Sequence, residues 1–116
     1  MSDSMGRETL EALIDDYRRA HPEFQPPEKS DHPIVLALTT DMNPELIDRC
    51  GNIVIFWDLL LDAAIEYFDP REETFEFKYF RARLSTGSGM ATGTIHDEGF
   101  GAIWRRYDRW VKGAQV

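Results

Sequence analysis

The chain has 116 residues, of which 42% are hydrophobic and 12% aromatic, and its formal net charge is −8. This length and apolar content predict one acidic globular domain over residues 1–116 and exclude an intrinsically disordered chain. No unbroken apolar run is longer than that at 53–57, which is far shorter than the about 18–20 residues that a bilayer crossing needs. No secretory leader pattern opens the chain, so we expect a cytoplasmic protein.

The first predicted element is an amphipathic helix over about 6–20. Its apolar residues recur at the i, i+3, i+4, i+7 spacing that places them on one helix face: Leu10, Leu13, Ile14 and Tyr17. Four prolines then fall within 21–33. Because proline fixes its own φ and pushes its predecessor out of the helical region, this Pro-rich segment predicts an extended loop. The apolar run 34–40 fits a buried strand or one to two buried helical turns equally well.

The next predicted element is a long helix over 44–68, which we expect at the centre of the domain. Asn43 and Pro44 suit the cap and the first position of a helix. The Gly51-Asn52 pair predicts a kink or a split, because glycine costs ~1 kcal/mol relative to alanine inside a helix. From 53 to 68 the only polar residues recur at every fourth position and share about one quadrant of the helix surface: Asp58, Asp62 and Glu66.

Segment 74–95 carries two conflicting patterns. The preceding residues 69–72, Asp-Pro-Arg-Glu, have the cap, first-turn proline and carboxylate of a helix start, which favours a second helix directly after the first. Aromatic and apolar residues that alternate with charged ones over 75–79 and again over 80–84, with a one-residue slip between the two runs, favour strands with a bulge. The alternation favours a β-hairpin with a flexible turn at 85–89, and a helix is the alternative.

The last predicted element is an amphipathic helix over about 97–112, with apolar residues such as Ile103 and Tyr107 on one face. The predicted fold is therefore an α-dominated α+β domain, in which this helix and the 6–20 helix enclose the buried 44–68 helix beside a β-hairpin at 74–95. The alternative fold is an all-α bundle of four or five helices. The polar face of the last helix carries four cations: Arg105, Arg106, Arg109 and Lys112.

Charge is distributed unevenly along the chain. Residues 1–76 carry 18 acidic and 6 basic residues, whereas 77–116 carry 3 acidic and 7 basic residues. The asymmetry fits attraction between the two parts within one fold better than steering of a basic partner, which is the other interpretation. A protein that neutralises phosphates needs clustered cations, and an acidic chain with four cations on one short helix argues against direct nucleic-acid binding.

Two groups of residues are candidates for chemistry. The sequence His96-Asp97-Glu98 sets an imidazole beside carboxylates, as acid–base work or a metal ligand set requires. Adjacent side chains diverge in a helix and in a strand, so stabilisation of a helix start is the favoured interpretation. The carboxylates at 58, 62 and 66 share a face, but no Glu-x-x-His pair accompanies them. They predict a solvated stripe or one paired with the arginines of the last helix, and a partner-facing acidic strip is the alternative.

Other candidates are weaker. The glycines at 87, 89 and 93 do not match the dinucleotide fingerprint. A single cysteine, Cys50, excludes a disulfide framework, and without a Cys/His signature it is predicted to fill the core.

These observations predict a small acidic protein–protein interaction module and no enzyme, cofactor, metal or membrane partner. Such a module serves as an adaptor, inhibitor, immunity or anti-defence factor, or assembly subunit. One version competes for a basic nucleic-acid-binding surface on its partner by presenting carboxylates in place of phosphates. A small enzyme or ligand-binding protein with a site around His96, Asp97 and the central-helix carboxylates is the alternative, and a homo-oligomer is a third hypothesis. The predicted partner-binding residues are Asp58, Asp62, Glu66, Arg105, Arg106, Arg109 and Trp110.

Overall fold

The architecture is a bundle of short helices. It is known from a computed structural model that describes residues 5–25, 30–38, 43–92 and 98–114. Those residues are mostly helical and contain no β-strand, which agrees with the all-α alternative and not with the α+β prediction. Six helices follow one another within the described ranges: α1 (Met5–Ala20), α2 (Pro33–Leu38), α3 (Asn43–Cys50), α4 (Ile53–Tyr67), α5 (Phe75–Thr92) and α6 (Glu98–Ala114).

α1 packs along α4 through the apolar face that the sequence predicts, with Leu10, Ile14 and Tyr17 buried. The two helices approach most closely at Gly6. A Cβ atom added to Gly6 would lie 2.5 Å from the Cβ of Asp62 and 2.9 Å from the backbone nitrogen of Ala63. Only glycine fits this crossing without a shift of one backbone against the other.

The apolar run at 34–40, for which the sequence fits a strand or a helix, forms the helix α2 over Pro33–Leu38. It is a helix of six residues, and residues 34–38 are all buried. α2 lies against α1, α3, α4 and α5. The centre of the bundle is therefore shared between α2 and the inward face of α4, which buries Phe56, Leu60 and Ala64 among others.

The predicted 44–68 helix is divided at Gly51 and Asn52 into α3 and α4. Gly51 has a φ of +112°, a conformation that strains any residue with a side chain. Its backbone N–H donates to the carbonyl oxygens of Ile47 and Asp48, which ends α3. The side-chain oxygen of Asn52 then accepts a hydrogen bond of 2.9 Å from the backbone N–H of Ile55, which caps the start of α4.

The β-hairpin predicted over 74–95 is wrong within the described residues, because α5 is helical from Phe75 to Thr92 and includes the predicted turn 85–89. Within 75–85, the part of this segment whose burial is described, the buried residues are Phe77, Phe80 and Leu84, which follow the i, i+3, i+7 spacing of a helix. Phe77 and Phe80 are three positions apart, as on one face of a helix, and this odd spacing appears as a one-residue slip when the segment is treated as a strand. Phe75 is 44% exposed, whereas a strand would place it on the same face as Phe77.

The start of α5 lies beyond the Asp-Pro-Arg-Glu sequence. Asp69 and Pro70 instead form a turn, in which the backbone carbonyl of Asp69 accepts from the N–H of Glu72 at 2.9 Å. The helix is capped by Thr74, whose hydroxyl oxygen accepts from the N–H of Phe77 at 3.2 Å. The second helix of the sequence prediction is therefore present, but a different residue begins it.

The closing helix predicted over 97–112 is present as α6, which spans Glu98–Ala114. It buries Ile103 and Tyr107 and packs against α4 and α5. Its amphipathic spacing therefore predicted both the helix and its inward face.

Substitution of Gly6 by alanine tests the α1–α4 crossing. We expect Gly6→Ala to lower the free energy of unfolding by about 1–3 kcal/mol, because the added methyl group meets backbone atoms that cannot turn aside. Gly113→Ala is the matched control, since a Cβ at Gly113 meets nothing within 4 Å. Urea unfolding measures both, and equal stability of Gly6→Ala and the unsubstituted protein would contradict the close approach.

Two phenylalanines distinguish a helix from a strand in α5. We expect Phe77→Ala to cost about 3–5 kcal/mol of unfolding free energy, because the ring is 1% exposed and its removal leaves a cavity. Phe75→Ala should cost less than ~1 kcal/mol, because that ring is largely outside the core. Similar losses for the two variants in urea unfolding would instead support a strand in which both side chains share a face.

Candidate functional site

The outward face of α4 brings the predicted carboxylates together with exposed apolar side chains. Successive residues of a helix are about 100° apart around its axis, and the carboxylates and two exposed isoleucines of this face all fall within an arc of about 100°. The two isoleucines are Ile55, exposed at 50%, and Ile65, at 37%. We call this surface the α4 stripe, and its members are Ile55, Asp58, Asp62, Ile65 and Glu66.

Arg106 of α6 lies across two carboxylates of the α4 stripe. One guanidinium nitrogen donates a hydrogen bond to Asp58, and the other terminal nitrogen donates one to Asp62. Both carboxylates stay substantially exposed while paired, with side-chain exposures of 51% for Asp58 and 43% for Asp62. The contact joins the acidic and basic parts of the sequence, as the internal-pairing interpretation predicts for the arginines of this helix.

The other predicted partner-binding residues are spread over several surfaces. Arg105 and Arg109 are exposed on α6 and have no ion pair with a described residue. Trp110 is half-buried and packs edge-on against the ring of Phe77 in α5, at 5.9 Å between ring centroids. Glu66 accepts a weak hydrogen bond of 3.4 Å from the backbone N–H of Arg7, at the start of α1. The structure therefore brings Asp58, Asp62 and Arg106 into one contact and leaves the other predicted residues outside it.

A polar cluster between α1 and α4 was missed by sequence reasoning. The hydroxyl of Tyr67 donates to Glu11 at 2.7 Å, and Arg7 approaches the same carboxylate at 3.7 Å. Burial, followed by the hydrogen bond to Glu11, raises the pKa of Tyr67, so the phenol stays neutral. Residues 56 positions apart carry no shared sequence signal, and only the packing of α1 on α4 makes them neighbours.

His32 belongs to a second cluster that sequence reasoning missed. Its imidazole stacks on Phe68 at 5.3 Å and meets the edge of Tyr67 at 4.4 Å, both between ring centroids. Burial lowers the pKa of His32, although the carboxylates of Glu76, Asp31 and Glu11 act in the opposite direction. The ring is thus held neutral among aromatic side chains at neutral pH.

A shallow cleft of about 340 Å³ lies at the end of α1, lined by Tyr17, His21, Phe24 and neighbouring residues. The Nε2 atom of His21 lies 3.0 Å from one oxygen of Glu45, and Arg49 donates to the other oxygen at 3.1 Å. Both carboxylate oxygens are already engaged by the protein itself.

The remaining chemical candidates have no assembled site among the described residues. His96 and Asp97 lie outside the described ranges, so the alternative site built around them stays a prediction. Cys50 is half-buried, and burial raises the pKa of its thiol, which disfavours the thiolate that a nucleophile needs. Among the side chains that the structure describes, no three His, Cys, Asp or Glu residues are grouped to hold a metal ion.

None of the described helices combines the length and the apolar character that crossing a lipid bilayer requires.

Comparison with protein families, with characterised proteins and with solved structures finds no significant match to this chain.

Charge removal on α6 tests how much Arg106 contributes to the fold. We expect Arg106→Ala to lower the free energy of unfolding by about 0.2–1 kcal/mol at low salt, because the ion pairs it makes are half-exposed. The loss should shrink at high salt, where screening weakens the pairs. Arg109→Ala is the control and should leave stability unchanged, so an equal loss for both variants in urea unfolding would argue against a specific role for Arg106.

Proposed function

We propose that this protein is a protein–protein interaction module that binds a basic partner through the α4 stripe. The observation that supports this is the placement of exposed apolar side chains on the same face as carboxylates. Three of the four large apolar residues that the described part exposes lie on α4, and Ile55 and Ile65 belong to the stripe. Exposed apolar patches bordered by polar groups are typical of surfaces that contact other macromolecules.

The apolar members of the stripe supply affinity. Complete burial of an isoleucine side chain is worth about 1.5–3 kcal/mol, and Ile55 still exposes half of its surface. A partner that covers Ile55 and Ile65 would remove apolar area from water at both ends of the stripe. In many interfaces a few residues that the partner covers completely carry most of the binding energy.

The carboxylates select the sign of the partner's charge. Asp58 and Asp62 share one guanidinium, that of Arg106, and Glu66 extends the same face. The stripe therefore keeps an excess of negative charge, and the chain as a whole carries −8. A basic surface is the complementary partner, because complementary charge raises the association rate and rejects partners of like charge. A basic nucleic-acid-binding surface is one example, which carboxylates would occupy in place of phosphates.

A photo-crosslinking amino acid at position 55 tests the proposal. We expect it to crosslink a partner at a segment that contains both basic and apolar residues, identified by mass spectrometry. The matched control is the same amino acid at position 75, because Phe75 is an exposed apolar residue of α5 away from the stripe. Crosslinks only from position 75, or to a partner segment without basic residues, would contradict the proposal. Crosslinks from position 55 to a second copy of this chain would replace it with a homo-oligomer.

Affinity for the crosslinked partner then measures the two contributions separately. Ile55→Ser should weaken binding about tenfold, the equivalent of ~1.4 kcal/mol of lost apolar contact. The double variant Asp58→Asn with Asp62→Asn should weaken binding and flatten its dependence on salt, because screening acts on charge pairs. Phe75→Ser is the control and should bind normally. Affinity that is independent of salt for the unsubstituted protein would reject the electrostatic part of the proposal.

A further inference from the structure

His32 stands at the first turn of the buried helix α2, where a side-chain acceptor is required. The backbone carbonyl of His32 accepts from the N–H of Leu36 at 3.0 Å, which makes His32 the residue that precedes the helix. Its Nδ1 atom accepts a hydrogen bond of 3.1 Å from the N–H of Ile34. Pro33, between them, has no N–H to satisfy. The imidazole therefore acts as the N-cap of α2, a position that serine, threonine, asparagine or aspartate occupies in most helices.

This arrangement requires one protonation state of the ring. Nδ1 can accept from Ile34 only when it carries no proton, and the charged imidazolium has two N–H donors and no acceptor. Protonation of Nδ1 would place its N–H opposite the backbone N–H of Ile34, so that two donors face each other at the start of α2. The buried N–H of Ile34 would then lose its partner, which is unfavourable away from water.

We propose that His32 is a proton-sensitive cap that holds α2 in place when the ring is neutral and loosens it when the ring is protonated. Every residue from 34 to 38 is buried between other helices, so the state of one ring controls the anchoring of a central helix. The proposal is independent of any partner of the α4 stripe.

The surroundings of the ring favour the neutral state. At the end of α4, the ring of Phe68 stacks on the imidazole and the ring of Tyr67 packs against it edge to face. The charged groups that face it are Glu76 of α5, Glu11 of α1 and the neighbouring Asp31, and all three favour the imidazolium. The hydroxyl of Ser30 donates to the carboxylate of Glu76 at 2.8 Å and accepts from the backbone N–H of His32 at 3.1 Å. The carboxylate of Glu76 is therefore stabilised by a donor other than the imidazole.

The pH range of the effect follows from the direction of the shift. Burial lowers the pKa of His32 below its ordinary value of 6.5, so the unfolded chain takes up a proton at higher pH than the folded chain. The stability from the neutral ring is fully present above pH 6.5 and is lost as the pH falls from 6.5 toward the lowered folded value. Ordinary carboxylates stay ionised through most of this range.

Urea unfolding between pH 7.5 and 5.5 tests the proposal with three proteins. In the unsubstituted protein we expect the midpoint to shift downward as the pH falls. In His32→Asn the shift should be lost, because the asparagine oxygen can accept from Ile34 at any pH in this range. His21→Asn is the matched control and should keep the downward shift, because His21 is not a helix cap. A full shift in His32→Asn would overturn the proposal.

Nuclear magnetic resonance of the unsubstituted protein provides a test that does not depend on a variant. At pH 7.5 the His32 ring should carry its proton on Nε2 and none on Nδ1. As the ring titrates below pH 6.5, the hydrogen-exchange protection factor of the Ile34 amide should fall about fivefold, the effect of losing a typical helix cap. A proton on Nδ1 at pH 7.5, or protection of Ile34 that does not change as the ring titrates, would overturn the proposal.

Discussion

The burial of residues 34–38 is the constraint around which the rest of the bundle is arranged. Five consecutive buried residues must satisfy their backbone polar groups without water, and a helix does so within the segment itself. The first backbone N–H groups of a helix have no acceptor within the helix. In α2, Pro33 has no N–H, and the imidazole of His32 accepts from the N–H of Ile34. Helices α1, α4 and α5 then cover the apolar side chains. A histidine near the end of a Pro-rich segment is therefore part of the core's structure.

α4 serves the core with one face and offers the α4 stripe to solvent with the other. α1 packs on α4 closely enough at Asp62 and Ala63 to require Gly6. Arg106 of α6 pairs with Asp58 and Asp62 of the outward face. This pairing accounts for part of the charge asymmetry of the chain, since an arginine of the basic part neutralises carboxylates of the acidic part. Arg105 and Arg109 have no such pair among the described side chains. Arg81 of the basic part likewise pairs with Glu73 of the acidic part. The asymmetry therefore contributes ion pairs to the fold at Arg81 and Arg106 and leaves charge at the surface at Arg105 and Arg109.

The proposed binding surface and the proposed proton-sensitive cap meet at the end of α4. Tyr67 and Phe68, which contact His32, directly follow Glu66 of the α4 stripe. Loosening of α2 would remove aromatic contacts from this end of α4 while its start stays capped by Asn52. Both proposals rest on side chains within one continuous packed structure.

The sequence alone determined the elements whose periodicity was unambiguous, namely the helices at 6–20 and 97–112, and the break at Gly51 that divides the central segment. It also placed Asp58, Asp62 and Glu66 on one face, because helical spacing is a local property. It did not determine the state of α2 or α5, since short apolar runs and dense aromatic segments fit two periods until burial selects one. The charges of the sequence predicted pairing of the α4 carboxylates with arginines of the last helix, but only the tertiary structure showed that Arg106 makes the pair. Only the tertiary structure brought His32 to Tyr67 and Phe68. These neighbours lie far apart along the chain, and contacts of that kind depend on how helices pack and leave no trace in local spacing.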